Sequence, residues 1–288
     1  MTNSIRQTDS DAWTLVIEPH ARLLDFKLKE LWHYRDLIYL FVRRDFVAQY
    51  AQTILGPAWH FIQPLLTTLM FTLVFGKIAG IPTDGAPPFL FYMAGTILWG
   101  YFSGVLTATA GTFTANAAIF GKVYFPRLAV PVATLLSKLI GFAVQFLFFL
   151  CFLAYFMLTG VGVHPNAWVL TTPILLLMMA ALALGLGVIV SALTTRYRDL
   201  AVVVTFGVQL LMYATPIIYP LSALPEPYRT LMALNPIAPI AELFRYAYLG
   251  NGSVDLGLLA IGSVTIAVIL FVGILMFTRV ERTFMDTV

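Results

Sequence analysis

Most side chains able to do chemistry stand apart from one another in this sequence. Four carboxylates, Asp84, Glu226, Glu242 and Asp255, fall in polar stretches between long apolar blocks. Acids of this kind serve general acid–base catalysis when they are paired across one substrate. Glu242 and Arg245, however, are three residues apart and read more simply as a surface ion pair on one helical face. Gly76-Lys77 and Gly121-Lys122 lack the upstream glycine and the following hydroxyl of a phosphate-cradling loop, so this chain is expected to bind no nucleotide and no other cofactor. The histidines are scattered; His60 and His164 sit at the ends of apolar blocks, where a hydrated ring is the ordinary reading. Cys151 is the single cysteine, which excludes an internal disulfide, and its place in an apolar block reads as packing. Arg43-Arg44 is a dense cationic pair. Adjacent guanidinium forks suit a phosphate or pyrophosphate, with Asp45 able to orient one of them, and they equally suit anchoring to anionic lipid.

The elements that must position these groups are membrane spans. Of the 288 residues, 60% are hydrophobic and only 11% charged, with mean hydropathy +0.87; a soluble domain is nearer half apolar and about a quarter charged. Six blocks are long enough to cross a bilayer, which takes roughly 20 residues: Trp59–Ala79, Phe89–Thr112, Ala133–Leu158, Trp168–Leu193, Ala201–Tyr219 and Val254–Thr278. No carboxylate falls in the middle of any block, which disfavours an ion-coupled transporter. The hydroxyls within them, such as Thr68, Thr72 and Thr96, read chiefly as packing groups between helices. Lys and Arg concentrate in the N-terminal segment, in the second–third connection (Lys122 and Arg127, with Lys138 just inside the next helix), in the fourth–fifth connection (Arg196, Arg198) and in the tail (Arg279, Arg282). That bias places both termini in the cytoplasm. The first twenty residues lack the apolar stretch of a cleavable signal. The net charge of +3 is small and no nucleic-acid partner is expected.

Leu31, Tyr34, Ile38 and Phe41 recur at helical spacing and predict an amphipathic helix in the cytoplasmic interface. Residues 220–252 are too polar and proline-rich to span. Pro227–Leu234 and Pro239–Leu249 fit short helices of roughly 12 and 17 Å, with Ile240, Leu243, Phe244 and Tyr248 on one apolar face. A re-entrant or interfacial hairpin on the outer side fits, with an ordinary external loop as the alternative. The expected architecture is therefore an all-α polytopic membrane protein. Residues 1–58 form a cytoplasmic segment with the interface helix; 59–288 form a six-helix transmembrane domain with an external helical hairpin at about 220–252 before the last span.

Several motifs together resemble the ABC-2 type polysaccharide export permeases, the membrane subunits of O-antigen, capsular polysaccharide and teichoic acid exporters. They are Arg35-Asp36-Leu37, Arg43-Arg44-Asp45-Phe46, the run Gln52 to Trp59, Gln63-Pro64, Phe75-Gly76, Asn116 to Phe120, the run Lys122 to Arg127, Asn235-Pro236 and Glu281-Arg282-Thr283-Phe284. The likeness runs from about Leu31 to the tail. Ala51 departs from it, standing where many relatives carry a basic residue. The resemblance implies a homodimer with twelve spans, two copies of a separate ATPase subunit that supply the ATP chemistry, and a polysaccharide on a polyprenyl pyrophosphate as cargo. The alternatives are an exporter of a small molecule or other lipid with the same architecture and, less favoured, a polytopic enzyme acting on lipid-linked sugars.

Three sets of site residues follow. The resemblance places ATPase docking in the Asn116–Arg127 connection, where Ile119, Phe120, Lys122 and Phe125 mix apolar and basic character. Arg43 and Arg44 are the candidate receptors of the lipid pyrophosphate head group. A sliding sugar chain needs weak, repeated contacts, which aromatic faces supply. Trp59, Tyr92 and Trp99 are therefore the candidate conduit residues; Tyr92 and Trp99, seven apart, share a helical face. An interfacial aromatic belt is the competing use of these side chains.

Overall fold

A computed structural model describes residues 28–50, 56–123, 125–195, 197 and 199–283. The first 27 residues, Ala51 to Leu55, Tyr124, Arg196, Arg198 and the final five residues lie outside it, and with them part of the positive charge that argues for the orientation. Among the described residues every regular element is helical: α1 (Leu28–His33), α2 (Arg35–Tyr50), α3 (Trp59–Phe71), α4 (Pro88–Ala110), α5 (Thr112–Phe120), α6 (Ala129–Leu158), α7 (Thr172–Thr194), α8 (Leu200–Tyr213), α9 (Glu226–Ala233), α10 (Ile237–Leu249) and α11 (Leu256–Thr283).

Five helical runs are long and apolar enough to cross a membrane: Trp59–Ile78, Pro88–Ala110, Ala129–Leu158, Ala167–Thr194 and Leu256–Glu281. The first is α3 extended by a π-helical stretch over Thr72–Ile78, and the fourth is α7 extended at its start by a tight turn. The sixth apolar helix is shorter than expected. The block Ala201–Tyr219 yields helix only as far as Tyr213, 14 residues or about 21 Å, less than the ~30 Å of a hydrocarbon core. Pro216 has no N–H to continue the ladder, and the chain turns instead. The turn is tied down locally by the Thr215 hydroxyl on the Leu211 carbonyl (2.7 Å) and by Asn235 Nδ2 on Thr215 Oγ1 (2.9 Å).

Helix α4 is the axis of the bundle. It is buried nearly all round, packed against α3, α6, α7, α8 and α10. Helix α7 lies against α4 on one side and α11 on the other, and glycines set the spacing. A Cβ on Gly185 would stand 2.9 Å from the Leu270 backbone, and one on Gly273 2.5 Å from the Gly185 carbonyl. Small residues at a helix crossing are the membrane alternative to a hydrophobic driving force. The Thr68 and Thr96 hydroxyls meet at 3.4 Å between α3 and α4, the packing use expected of them.

A second, smaller core lies at the end shared by α1, α2, α5 and the C-terminal part of α11. Phe41, Phe113, Phe120, Phe125 and Phe277 are all buried there. Arg127 closes it against the end of α11: its Nη1 donates to the Glu281 carbonyl (2.9 Å) and its N–H to Glu281 Oε1 (3.2 Å). Burial pulls this guanidinium's pKa down, and the Glu281 carboxylate pushes it back up. The stripe Leu31, Ile38 and Phe41 faces this core, not lipid. The apolar surface that α1 and α2 leave exposed is a different one, Trp32, Tyr39, Leu40, Phe46 and Val47.

Candidate functional site

Among the described residues, three hollows and the deeply buried Arg245 organise the polar chemistry. The first hollow, about 460 Å³, lies between α3, α4 and α6. Trp59 and Trp99 line it together with His60, Gln63, Lys138 and Gln145. Two of the three conduit residues thus meet in one place. Tyr92 does not join them. It is fully buried beside Phe71 and Phe91, and its hydroxyl has no hydrogen-bond partner among the described residues. Because α4 is covered on every side around Tyr92, sharing a helical face with Trp99 does not bring Tyr92 into the same cavity.

A second hollow of about 550 Å³ adjoins the first, since Gln49 and Lys138 line both. Asp45 and Thr134 complete its polar wall. Asp45 is held by Arg44, whose Nε and Nη2 donate to Asp45 Oδ1 at 3.0 and 2.8 Å. The Arg44 guanidinium also lies over the Phe41 ring at 4.8 Å. Arg43 is exposed on the same turn. A polar strip therefore runs from the Arg44–Asp45 pair through Lys138 to the two tryptophans. The sequence reading used Lys138 only as a topological charge. The signal that marks it is its type, a lone ionisable residue inside an apolar run.

Of the four docking residues, Lys122 is exposed and Ile119 half-buried, while Phe120 and Phe125 turn inward at 3% and 5% exposure. Their rings join a chain of contacts, Phe41–Phe125–Phe120–Phe113–Phe277, with centroids 5.7, 5.7, 5.9 and 4.6 Å apart. The outward surface of this connection is instead made by Ala118, Gly121, Lys122 and Val123. The aromatics link α5 to α2 and α11.

At the opposite end, α9 and α10 form beside a hollow of about 690 Å³ lined by Asp84, Glu226, Glu242 and Asp255. The structure gathers four acids that the sequence scatters. Each already has structural work. Asp84 accepts from the Ser222 hydroxyl (2.5 Å), Glu242 from the Leu221 N–H (3.3 Å), and Asp255 caps α11 through the Gly257 and Leu258 N–H groups. Glu226 lies 3.6 Å from Arg229. This is a braced loop cluster, not a paired acid and base.

The expectation that Glu242 and Arg245 form a surface pair is corrected here. Arg245 is 2% exposed, with Nη1 3.6 Å from Glu242 Oε1. Its Nη1 and Nη2 donate to the Pro216 and Ile217 carbonyls at 2.8 and 2.6 Å, and its guanidinium stacks 3.8 Å over Phe91. Burial pulls its pKa to about 10, which leaves it charged at neutral pH, while burial pushes the Glu242 carboxyl up against the pull of Arg245. Gly95 makes room: a Cβ there would lie 2.8 Å from both Arg245 Nη2 and the Ile217 carbonyl. The broken end of α8 is non-helical backbone tolerated because protein buries it. Helix α10 is apolar around its other faces, which is why no hydrated surface remains for the pair.

A helical membrane protein with a polar, tryptophan-lined cavity among its spans, a broken span and a short buried helix at one end has the make-up of a transport permease. The chain belongs to the ABC-2 type transporter family, which matches residues 36–249. It is similar to the O-antigen export system permease protein RfbA of Klebsiella pneumoniae, 25% identical over 265 residues that cover 91% of this chain and 99% of the relative. A protein of the same name from Myxococcus xanthus is 30% identical over 222 residues, 76% of this chain and 82% of the relative. The polysialic acid transport protein KpsM of Escherichia coli is 26% identical over 254 residues, 85% and 93% of the two chains.

Proposed function

We propose that the chain is the permease subunit of an exporter that moves a lipid-linked polysaccharide, such as O-antigen or capsule, across the bacterial inner membrane. Two copies pair, two copies of a separate ATPase drive them, and both termini are cytoplasmic. The observation that carries this reading is the cavity where Trp59 and Trp99 face His60, Gln63 and Gln145. It offers flat faces for sugar C–H groups and polar tips that exchange hydrogen bonds, without a catalytic pair. The relatives' names, two of them O-antigen export permeases and one a polysialic acid transporter, support a polysaccharide over a small molecule.

In this reading the lipid pyrophosphate approaches Arg43 and Arg44 from the cytoplasmic leaflet. The ATPase seats on the outward face of the α5 connection, and its movement passes along the phenylalanine chain to α2. The test is export in cells that co-express the ATPase. Trp59→Ala and Trp99→Ala are expected to lower surface polysaccharide several-fold per molecule of permease, with longer chains lost first, while membrane insertion and ATPase assembly persist. Unchanged export per molecule with lowered expression would assign both side chains to packing and remove the conduit reading.

A further inference from the structure

Lys138 carries an unanswered charge in the interior of a span. It lies ten residues into α6, counting from Ala129, with apolar turns on both sides. It is half-buried and lines both hollows at the place where they meet. It makes no salt bridge or hydrogen bond with any described residue. The acid that shares the second hollow with it, Asp45, is taken by Arg44 at 2.8 Å. Its stem packs beside α4: a Cβ on Gly104 would stand in ordinary van der Waals contact with Lys138 Cδ, at 3.6 Å. The linings it shares hold the neutral groups Gln49, Gln145 and Ser137, the Trp59 and Trp99 rings, and His60, which adds no negative charge.

An ammonium at membrane depth is costly unless an anion meets it. Helix termini allow such a lysine to snorkel to the interface, but Lys138 also opens onto the hollow between α3, α4 and α6. We propose that Lys138 is the receptor for an oxyanion of the cargo, placed one step deeper than Arg43 and Arg44. The phosphate of a polyprenyl diphosphate fits it best: the anion passes from the guanidinium pair along the Asp45–Gln49 wall to the ammonium, and its first sugars then reach Trp59 and Trp99. The same chemistry is offered by the carboxylate of an acidic sugar. This inference rests on the export reading, and its test is made on binding so that the two fail separately.

The purified full-length permease in nanodiscs is titrated with farnesyl diphosphate, with farnesol, and with short oligomers of sialic acid and of neutral dextran. Lys138→Gln is expected to weaken farnesyl diphosphate at least tenfold and to leave farnesol unchanged, and Lys138→Arg is expected to restore most of the binding. If the sialic acid oligomer alone shows this dependence, the oxyanion belongs to the sugar. Because the ammonium has no internal partner, Lys138→Gln is expected to melt at or above the wild-type temperature. A melting temperature well below wild type in both variants would assign Lys138 to structure and overturn the proposal. So would wild-type affinity of Lys138→Gln for both anionic probes. If polysaccharide export fails in cells while Lys138-dependent anion binding stands, the cargo assignment is wrong and the anion site remains.

Discussion

At the scale of single residues, Arg245 shows how far a pattern reaches and where it stops. Its three-residue spacing from Glu242 is legible in the sequence, and so is the apolar face Ile240, Leu243, Phe244 and Tyr248. The burial of the pair is not legible from spacing, because it depends on where a distant backbone break comes to rest. The energetic consequence is specific. Arg245→Met leaves the Glu242 charge and the Pro216 and Ile217 carbonyls without their donor, a change expected to cost about 3–5 kcal/mol. Glu242→Gln keeps the carbonyl contacts and is expected to cost less, and the double Met variant to recover part of the single loss. Denaturation midpoints of the purified protein check this; equal losses for the two single variants would show that the carbonyl contacts carry no weight. Lys138 illustrates the opposite limit. The sequence shows it as one more positive charge near the start of a span, and only the packing of α3 and α4 around α6 shows which cavity it lines.

At the scale of elements, the apolar blocks foretold the long helices, since length and hydropathy alone decide what a bilayer accepts. The exceptions have local causes. Helix α8 stops at Tyr213 because of Pro216, and the interface helix turns its predicted stripe toward phenylalanines that arrive from three other elements. The same rings change what the α5 connection is expected to do. Phe120 and Phe125 brace it from inside, and Lys122 and Val123 face out. Lys122→Glu with Val123→Asp is therefore expected to abolish co-purification of the ATPase. Phe120→Leu keeps an apolar side chain in this core but gives up the ring and its contacts with Phe113 and Phe125. It is expected to leave the ATPase bound but to lower export per ATP hydrolysed. Loss of ATPase binding in Phe120→Leu alone would place the ring in the docking surface after all.

At the scale of the whole molecule, α2, α5 and the end of α11 gather at one end, and α9, α10 and the acids at the other. Positive charge on the first end is the argument that it faces the cytoplasm. With Cys151 replaced by alanine, a membrane-impermeant thiol reagent added to intact spheroplasts is expected to label Val161→Cys and to spare Val123→Cys until the membrane is opened; both positions are exposed. The reverse pattern would invert the topology and with it the direction of transport. What the sequence withheld at this scale is the meeting of surfaces. Trp59 and Trp99 belong to different spans, and nothing in their spacing separates them from Tyr92 until α4 is seen enclosed.

The arginine clasp on the end of α8 also orders events while the chain is being made. The carbonyls of Pro216 and Ile217 precede their donor, Arg245, by 29 and 28 residues. A ribosome that has delivered α8 to the bilayer still holds in its exit tunnel the residue that completes it. Until α10 emerges and folds back, this span is a stub with open carbonyls that lipid does not satisfy. The fifth crossing is thus finished out of turn, after synthesis has moved on, and a nascent chain that ends before Arg245 holds four settled spans and one provisional one.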